Sequence, residues 1–356
     1  TATISGDKGY GIISNGTEIL NKGTVTLTNP LTASKPSVGI LTQAGDKITN
    51  SGTVTVGENS VGIFGKEILH KGIVTVGNGG TGLYSEGGNV TLDSGSTINT
   101  GANKAVGVFT KGAGQVVTAS AGSTMTIGDS SFGFLNEGTG NTTNSNVASQ
   151  ALGNDGTYIY SSDRTGVVNN NTTLTSTGSY NYGLYSAGTV TNNADINFGS
   201  GVGNVGIYSI AGGNAVNGNA TIRPTITVSG SDTVNKFYGI GMAAGYVNNN
   251  GVVKQTGTVT NYGTIKVEKN NGIGMYATGS GSKAVNRGTI ELSGKNTTGM
   301  YLDQNAIGEN YGTIKTVPNP TNSGIVGVVA LNGAIIKNYG TIQIAGSGNT
   351  GMWVEG

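Results

Sequence analysis

The stretch Gly288-Thr289-Ile290-Glu291-Leu292, followed by Thr298-Gly299-Met300-Tyr301-Leu302 and then Asn305-Ala306-Ile307-Gly308-Glu309-Asn310, decides how this chain is read. In the first segment Ile290 and Leu292 share one face and Thr289 and Glu291 the other, the period of two expected of a half-buried strand. Three such segments with corners between them make one triangular rung. A single rung cannot cover its own apolar face, so it is stable only when neighbours stack on it and complete its backbone hydrogen bonds.

Outward from that unit, two anchors alternate along the chain. The first reads Asn-x-Gly-Thr-(Val/Ile)-x-(Val/Leu/Ile), at Asn21 to Leu27, Asn50 to Val56, Asn261 to Val267, Asn286 to Leu292 and Asn338 to Ile344, with Asn310 to Thr316 a variant. The second is a Gly, an aliphatic and usually an aromatic residue, as in Gly62-Ile63-Phe64, Gly82-Leu83-Tyr84, Gly183-Leu184-Tyr185 and Gly274-Met275-Tyr276. With weaker copies at Gly11, Gly39, Gly133, Gly156, Gly239 and Gly327, the second anchor recurs every ~26 residues, the period of a solenoid. The interval varies from 20 residues between Gly62 and Gly82 to 35 between Gly239 and Gly274, which suits coils joined by loops of changeable length. No window shows a 3.6-residue apolar period. The expected fold is all-β, a right-handed parallel β-helix of about 13–14 rungs with three short strands each. A single continuous β-helix over residues 1–356 is expected, with loop insertions near 28–37, 139–154, 229–236, 248–260 and 316–323.

Composition agrees with a solenoid rather than a disordered chain. Of 356 residues, 65 are Gly and only 35% are hydrophobic, yet charged residues are 10% and the net charge is +1. Disorder goes with high net charge and few β-branched residues, whereas here Val, Ile and Thr recur in register. Nineteen basic against eighteen acidic residues leave no field to steer nucleic acid. The absence of Cys excludes disulfides and thiolate chemistry. Neither a signal peptide nor a long apolar span is read in the chain, and its abrupt ends are those expected of a fragment of something longer.

Stacking turns each anchor into a column. Asn21, Asn50, Asn261, Asn286, Asn310 and Asn338 are expected to form an amide ladder, which satisfies polar groups at a buried corner. His70, the one His, occupies the same column in His70-Lys71-Gly72 and reads as a ladder variant rather than a catalytic base. If the aliphatic residue of the second anchor points inward, its neighbour points outward. Phe64, Tyr84, Phe109, Tyr185, Tyr208, Tyr276, Tyr301 and Trp353 then form an exposed aromatic stripe, a platform for sugars or protein partners or a ladder that stiffens the sheet. Tyr262, Tyr311 and Tyr339 make a second set beside the Asn column. Thr pairs such as Thr24/Thr26 and Thr53/Thr55 suggest the flat arrays of ice-binding surfaces, but Lys266, Glu291, Lys315 and Gln343 interrupt the array.

Two short motifs tempt an enzymatic reading. Asp93-Ser94-Gly95-Ser96 and Gly128-Asp129-Ser130-Ser131 echo serine-hydrolase nucleophile regions, but both need a His base and both fall inside repeat units. The nine Asp residues are dispersed, with none of the clustering that hydrolysis of a glycan would use. No catalytic residue, cofactor or metal ligand is assigned. The insertions and the stripe are where individuality, and hence specificity, is expected.

The Asn-Tyr-Gly-Thr-Ile and Gly-Met-Tyr units resemble the passenger repeats of very large monomeric (type Va) autotransporter adhesins, most closely the fusobacterial type. The resemblance runs from Gly11 to Trp353 and weakens between about Phe134 and Asn192. It implies an N-terminal signal, export through the protein's own C-terminal outer-membrane β-barrel, display of a monomeric passenger at the cell surface, virulence, and attachment to a host or bacterial surface receptor, protein or glycan. The expected function is therefore an adhesin or stalk segment. A carbohydrate-active β-helix enzyme is the alternative and an ice-binding β-helix a distant third.

Overall fold

A computed structural model describes residues 1–28, 35–43, 47–247 and 252–356. The chain is all-β, a parallel β-solenoid divided into two compact units, Thr1–Thr172 and Thr173–Gly356. In each unit the strands of the coil follow one another around three sides and pair with the strand one turn away, the one antiparallel pair among the described strands being Tyr246–Val247 with Val253–Gln255.

In the first unit one ladder runs from Ala2–Ile4 through Thr53–Val56 to Thr124–Thr126. A second, on the Gly anchors, runs from Tyr10–Ser14 through Val61–Gly65 to Thr157–Ser161, and a third from Glu18–Asn21 through Glu67–His70 to Val167–Asn170. The pairing is parallel and in register: Val54 faces Val74, which faces Ile98, and Ile63 faces Leu83, which faces Val108. In the second unit the Gly ladder runs from Tyr182–Ser186 to Thr350–Val354, the Asn ladder from Thr189–Asn192 to Ile335–Asn338, and the remaining face from Thr173–Ser176 to Thr341–Gln343.

Alternation places the apolar residues inside. Ile265, Ile290 and Ile314 stack in register and are fully buried, as are Met242, Met275, Met300 and Val328. Burying such a side chain contributes about 1.5–3 kcal/mol, and each rung adds several. The anchor Gly is required by close approach. A Cβ on Gly274 would stand 2.6 Å from the Gly299 carbonyl oxygen and 2.9 Å from Ile290 Cγ2. Its φ is not positive, so the constraint is room between turns rather than backbone freedom.

Two weak anchors are out of phase with the observed ladder. Tyr158, not Gly156, follows Gly133 in the column, and Gly241, not Gly239, follows Gly206. Tyr158 fits because its ring is wholly buried edge-on to Phe134 at 5.5 Å and its hydroxyl lies 2.6 Å from Ser145 Oγ. The sequence around Gly156 and Gly239 places a Gly two residues too early, and only pairing reveals the shift.

The insertions also differ in kind. Residues 139–154 contain the strands Thr142–Ser145 and Ser149–Leu152, the first of which pairs with Val116–Ala119 and so belongs to the coil. Of residues 229–236, Gly230 still bridges Val202 of the neighbouring turn in parallel, and the chain then leaves the coil in a loop closed by an antiparallel bridge between Asp232 and Phe237. Residues 317–325 form a strandless excursion between Thr313–Thr316 and Val326–Ala330. In the 248–260 stretch, Val253–Gln255 pairs antiparallel with Tyr246–Val247 and Gly257–Asn261 lies in the Asn ladder, whereas 248–251 lie outside the described residues. Most of the 28–37 insertion, residues 29–34, also lies outside them.

Candidate functional site

The Asn column is a directional chain of amides. Asn21 Nδ2 donates to Asn50 Oδ1 at 2.7 Å, and Asn50 Nδ2 contacts His70 Nδ1 at 3.2 Å. In the second unit Asn217 donates to Asn261 at 2.9 Å, Asn261 to Asn286 at 3.1 Å, Asn286 to Asn310 at 2.8 Å and Asn310 to Asn338 at 2.7 Å. The column begins there one turn earlier, where Asn192 donates to Asn217 at 2.8 Å. Sequence reasoning missed Asn192 and Asn217 because the Gly two residues on is replaced by Ala194 and Asn219; the alternating strand before each Asn was the available signal. Beyond His70 in the first unit the column passes through Leu92, Ala119 and Ser145 to Asn170.

His70 is fully buried, and both ring nitrogens are engaged: Nδ1 by Asn50 and Nε2 by the Thr97 carbonyl at 3.0 Å. An amide NH2 only donates, so Nδ1 accepts and Nε2 carries the proton. Burial holds the imidazole below its usual range, with the hydrogen bond to the Thr97 carbonyl opposing it. The Asp93-Ser94-Gly95-Ser96 motif is a corner, with Ser96 N–H donating to the Asp93 carbonyl at 3.0 Å. Gly128-Asp129-Ser130-Ser131 is likewise a corner, where Ser131 Oγ donates to the Asp129 carbonyl at 3.0 Å. Among the described residues no three His, Cys, Asp or Glu converge as metal ligands do.

The aromatic residues lie one position past each buried aliphatic residue, on the outer surface of the Gly ladder. In the first unit Phe64, Tyr84 and Phe109 are successive members, with Phe64 and Tyr84 stacked at 4.7 Å and Tyr84 edge-on to Phe109 at 4.8 Å. The column continues there through Leu135 to Tyr160. In the second unit the order is Tyr185, Tyr208, Ala243, Tyr276, Tyr301, Val329 and Trp353. Tyr185 and Tyr208 stack at 4.8 Å, Tyr276 and Tyr301 meet at 5.9 Å, and Trp353 is 55% exposed. Burial raises the phenol pKa of Tyr84, Tyr208, Tyr276 and Tyr301, so these remain neutral hydroxyls in ordinary conditions.

At Ala243 the aromatic column of the second unit is interrupted, and the 229–236 insertion folds beside the gap. Val205, Ile240 and Ala243, walled by Tyr182, Tyr208 and Tyr276 and by Lys236, Phe237 and Tyr238, line a cavity of about 160 Å³. The loop is held by its own bonds. Asp232 and Phe237 exchange backbone hydrogen bonds at 2.8 and 3.0 Å, the Asp232 carboxylate accepts from Asn235 N–H and Nδ2, and the Tyr180 hydroxyl donates to it at 3.1 Å. These donors lower the Asp232 pKa. Tyr180 also packs against Phe237, ring centres 4.9 Å apart. Gly203 makes that packing possible: a Cβ there would lie 2.9 Å from both Phe237 Cβ and Tyr180 Cδ1.

The second tyrosine set lies at the corner beside the Asn column. Tyr311 and Tyr339 stack at 4.9 Å, and Arg287 lies over the Tyr311 ring at 4.5 Å, within cation–π distance. On the Thr column Lys266, Glu291, Lys315 and Gln343 are successive neighbours, with Glu291 and Lys315 paired at 3.1 Å. A charged column of this kind breaks the regularity of a Thr array.

No curated protein matches the chain. Among solved structures it is similar to the TibC-catalysed, hyper-glycosylated TibA fragment, at 17% identity over 99% of this chain and 100% of that one, with a TM-score of 0.36. Residues 65–312 match the family model described as the BigA third pectate lyase-like domain. That span takes in the first-unit column from Tyr84 onward, the interrupted column at Ala243 and most of the Asn ladder, and on its extent the chain belongs to the family of the BigA third pectate lyase-like domain.

Proposed function

We propose that this chain is an attachment segment of a surface-displayed autotransporter passenger, holding an aromatic face toward a receptor on a host or bacterial cell. The observation that carries the reading is the outward column Tyr185, Tyr208, Tyr276, Tyr301 and Trp353 together with the loop beside it. Aromatic rings combine a large apolar body with a polar edge, which suits contact with sugars and with protein surfaces. A solenoid supplies the rest of what a stalk needs, because each turn is covered by its neighbours and turns can be added without a new core. The resemblance of the Asn-Tyr-Gly-Thr-Ile and Gly-Met-Tyr units to autotransporter passengers supports display at the cell surface and export through a β-barrel of the same protein. The passenger works as a monomer in this reading, without cofactor and without nucleic acid.

The pectate lyase-like description of the family favours a second reading, a carbohydrate-active enzyme. Against it, the cavity beside the aromatic column is lined by no Asp or Glu. Beads coated with the purified chain are expected to adhere to epithelial or bacterial cells, and the chain is expected to release no unsaturated uronide from polygalacturonate. Beads that adhere no better than uncoated ones contradict attachment, and uronide release establishes the enzyme.

A further inference from the structure

We infer that the cavity between the 229–236 insertion and the Gly ladder is an aromatic cage for a phosphocholine group, with the trimethylammonium among the rings and the phosphate on Lys236. The inference rests on the attachment reading and names the ligand chemistry that this part of the face would take.

Register and burial place the cavity. Tyr208 lies across the next turn, where its hydroxyl donates to the Gly245 carbonyl at 3.1 Å and Ala243 is only 3% exposed. The open volume of about 160 Å³ therefore stands over the other outward column of the sheet, at Val205 and Ile240. Tyr182 precedes them in that column, and Tyr208 and Tyr276 belong to the column beside it. Phe237 and Tyr238, at the end of the insertion, line the cavity from the corner and are partly exposed. Aromatic side chains thus surround a space well below the ~300–1,000 Å³ of pockets that enclose drug-sized ligands, which suits one small group.

The chemistry of the lining selects that group. The lining holds no Asp or Glu, its one charged side chain is Lys236, and the Tyr208 hydroxyl is already engaged. A pyranose or a primary ammonium brings several hydrogen-bonding groups that such walls leave unpaired, each at a cost. A trimethylammonium brings none, and its positive methyl groups are attracted to the negative faces of aromatic rings. Lys236 is exposed and makes no ion pair, hydrogen bond or ring contact among the described residues, so it is free to meet an anion beside the cage. A phosphate carried on the same small group as the quaternary nitrogen matches both features, since an ammonium and a phosphate form a charge-assisted hydrogen bond. The loop that carries Lys236 is already fastened by Asp232, Asn235 and Tyr180, so little ordering remains for binding to supply.

The test is calorimetric titration of the full chain with phosphocholine, with phosphoethanolamine, and with the carbon isostere of phosphocholine in which tert-butyl replaces trimethylammonium. Phosphocholine is expected to bind more tightly than either analogue. Lys236→Gln is expected to weaken it about tenfold or more, the loss that follows from removing a hydrogen bond to a charged group. Tyr276→Leu keeps an apolar side chain but removes a ring, and is expected to weaken phosphocholine severalfold while leaving the isostere little changed. Should that variant lose the β-sheet circular dichroism, Tyr238→Leu in the loop carries the same expectation. Flotation with phosphatidylcholine vesicles distinguishes the source of the group: a chain that floats with them takes it from a lipid surface, and one that binds only soluble phosphocholine takes it from a modified glycan or protein. No binding of phosphocholine, equal binding of either analogue, or undiminished binding by Lys236→Gln or by the ring variant overturns the inference. Coated beads that adhere to cells while phosphocholine does not bind overturn this inference and leave the attachment reading standing. Phosphocholine binding by a chain whose beads do not adhere supports the cage and removes the attachment reading.

Discussion

Asn50 Nδ2 lies 3.2 Å from Nδ1 of His70, so the first-unit amide chain that begins at Asn21 ends on an imidazole instead of another amide. Because the amide donates, the ring must accept there, and a proton added to Nδ1 would set two donors against each other in a buried corner. The folded imidazole therefore has a pKa below its ordinary value of 6.5, through burial first. The unfolded chain binds the proton more readily, so stability is retained above that value and falls as pH drops through and below it. Thermal melts from pH 8 to 5 are expected to show this loss in the wild type and a smaller one in His70→Asn, which restores an amide. His70→Leu takes one acceptor from Asn50, which keeps its bond to the Gly52 carbonyl, and the ring donor from the Thr97 carbonyl, and is expected to cost about 1–3 kcal/mol. A pH profile identical in wild type and His70→Asn contradicts the assignment.

Asn261 tests the ladder in the second unit. It accepts from Asn217 and donates to Asn286, and its exposure is 0%. Asn261→Leu is expected to destabilise by about 1–3 kcal/mol in urea melts, because two neighbours lose a partner that water cannot replace. Leu92 occupies this column in the first unit, so an apolar side chain fits it, and the loss at Asn261 reports on hydrogen bonding rather than size. An Asn261→Leu chain as stable as the wild type would remove the ladder from the account of stability.

Gly274 tests the spacing of the turns. Adding a methyl group there would force it against the Gly299 carbonyl and Ile290, both part of the tightly stacked core. Gly274→Ala is expected to lower stability by about 1–3 kcal/mol, the usual cost of overpacking. Equal midpoints for wild type and variant in denaturant would show that the turns yield at that point.

Tyr180 tests how the loop beside the cavity is held. Tyr180→Phe keeps the ring against Phe237 and removes the bond to Asp232. Hydrogen exchange at the amides of Asn235 and Phe237 is expected to accelerate while the global melting temperature stays the same. The low Asp232 pKa implies that acidification loosens the same amides as the carboxylate is protonated. Unchanged exchange in Tyr180→Phe would place the hold on the loop elsewhere.

Strand identity and the three-sided rung were legible because alternation at Ile290 and Leu292 repeats with a fixed partner geometry. The column at Asn286, Asn310 and Asn338 was legible for the same reason, since a repeated motif in a stack becomes a line. Phase was harder: a Gly at 156 or 239 looks like an anchor, and only the pairing of Tyr158 with Gly133 and of Gly241 with Gly206 sets the register. Residues 142–145 read as insertion because Thr142-Thr143-Asn144-Ser145 lacks aliphatic residues, yet the backbone ladder needs none. The cavity at Ala243 was not legible. It depends on a missing aromatic residue and on a loop whose closure is made by Asp232, Asn235 and Tyr180, the last of them 52 residues before Asp232.

The most direct test of attachment through the aromatic face compares two double variants in a bead adherence assay. Tyr276→Ser with Tyr301→Ser strips the column, whereas Tyr311→Ser with Tyr339→Ser removes the same number of rings from the corner. Adherence is expected to fall toward background in the first pair and to persist in the second, with both chains retaining the β-sheet circular dichroism of the wild type. Equal adherence by both variants and the wild type would contradict that expectation.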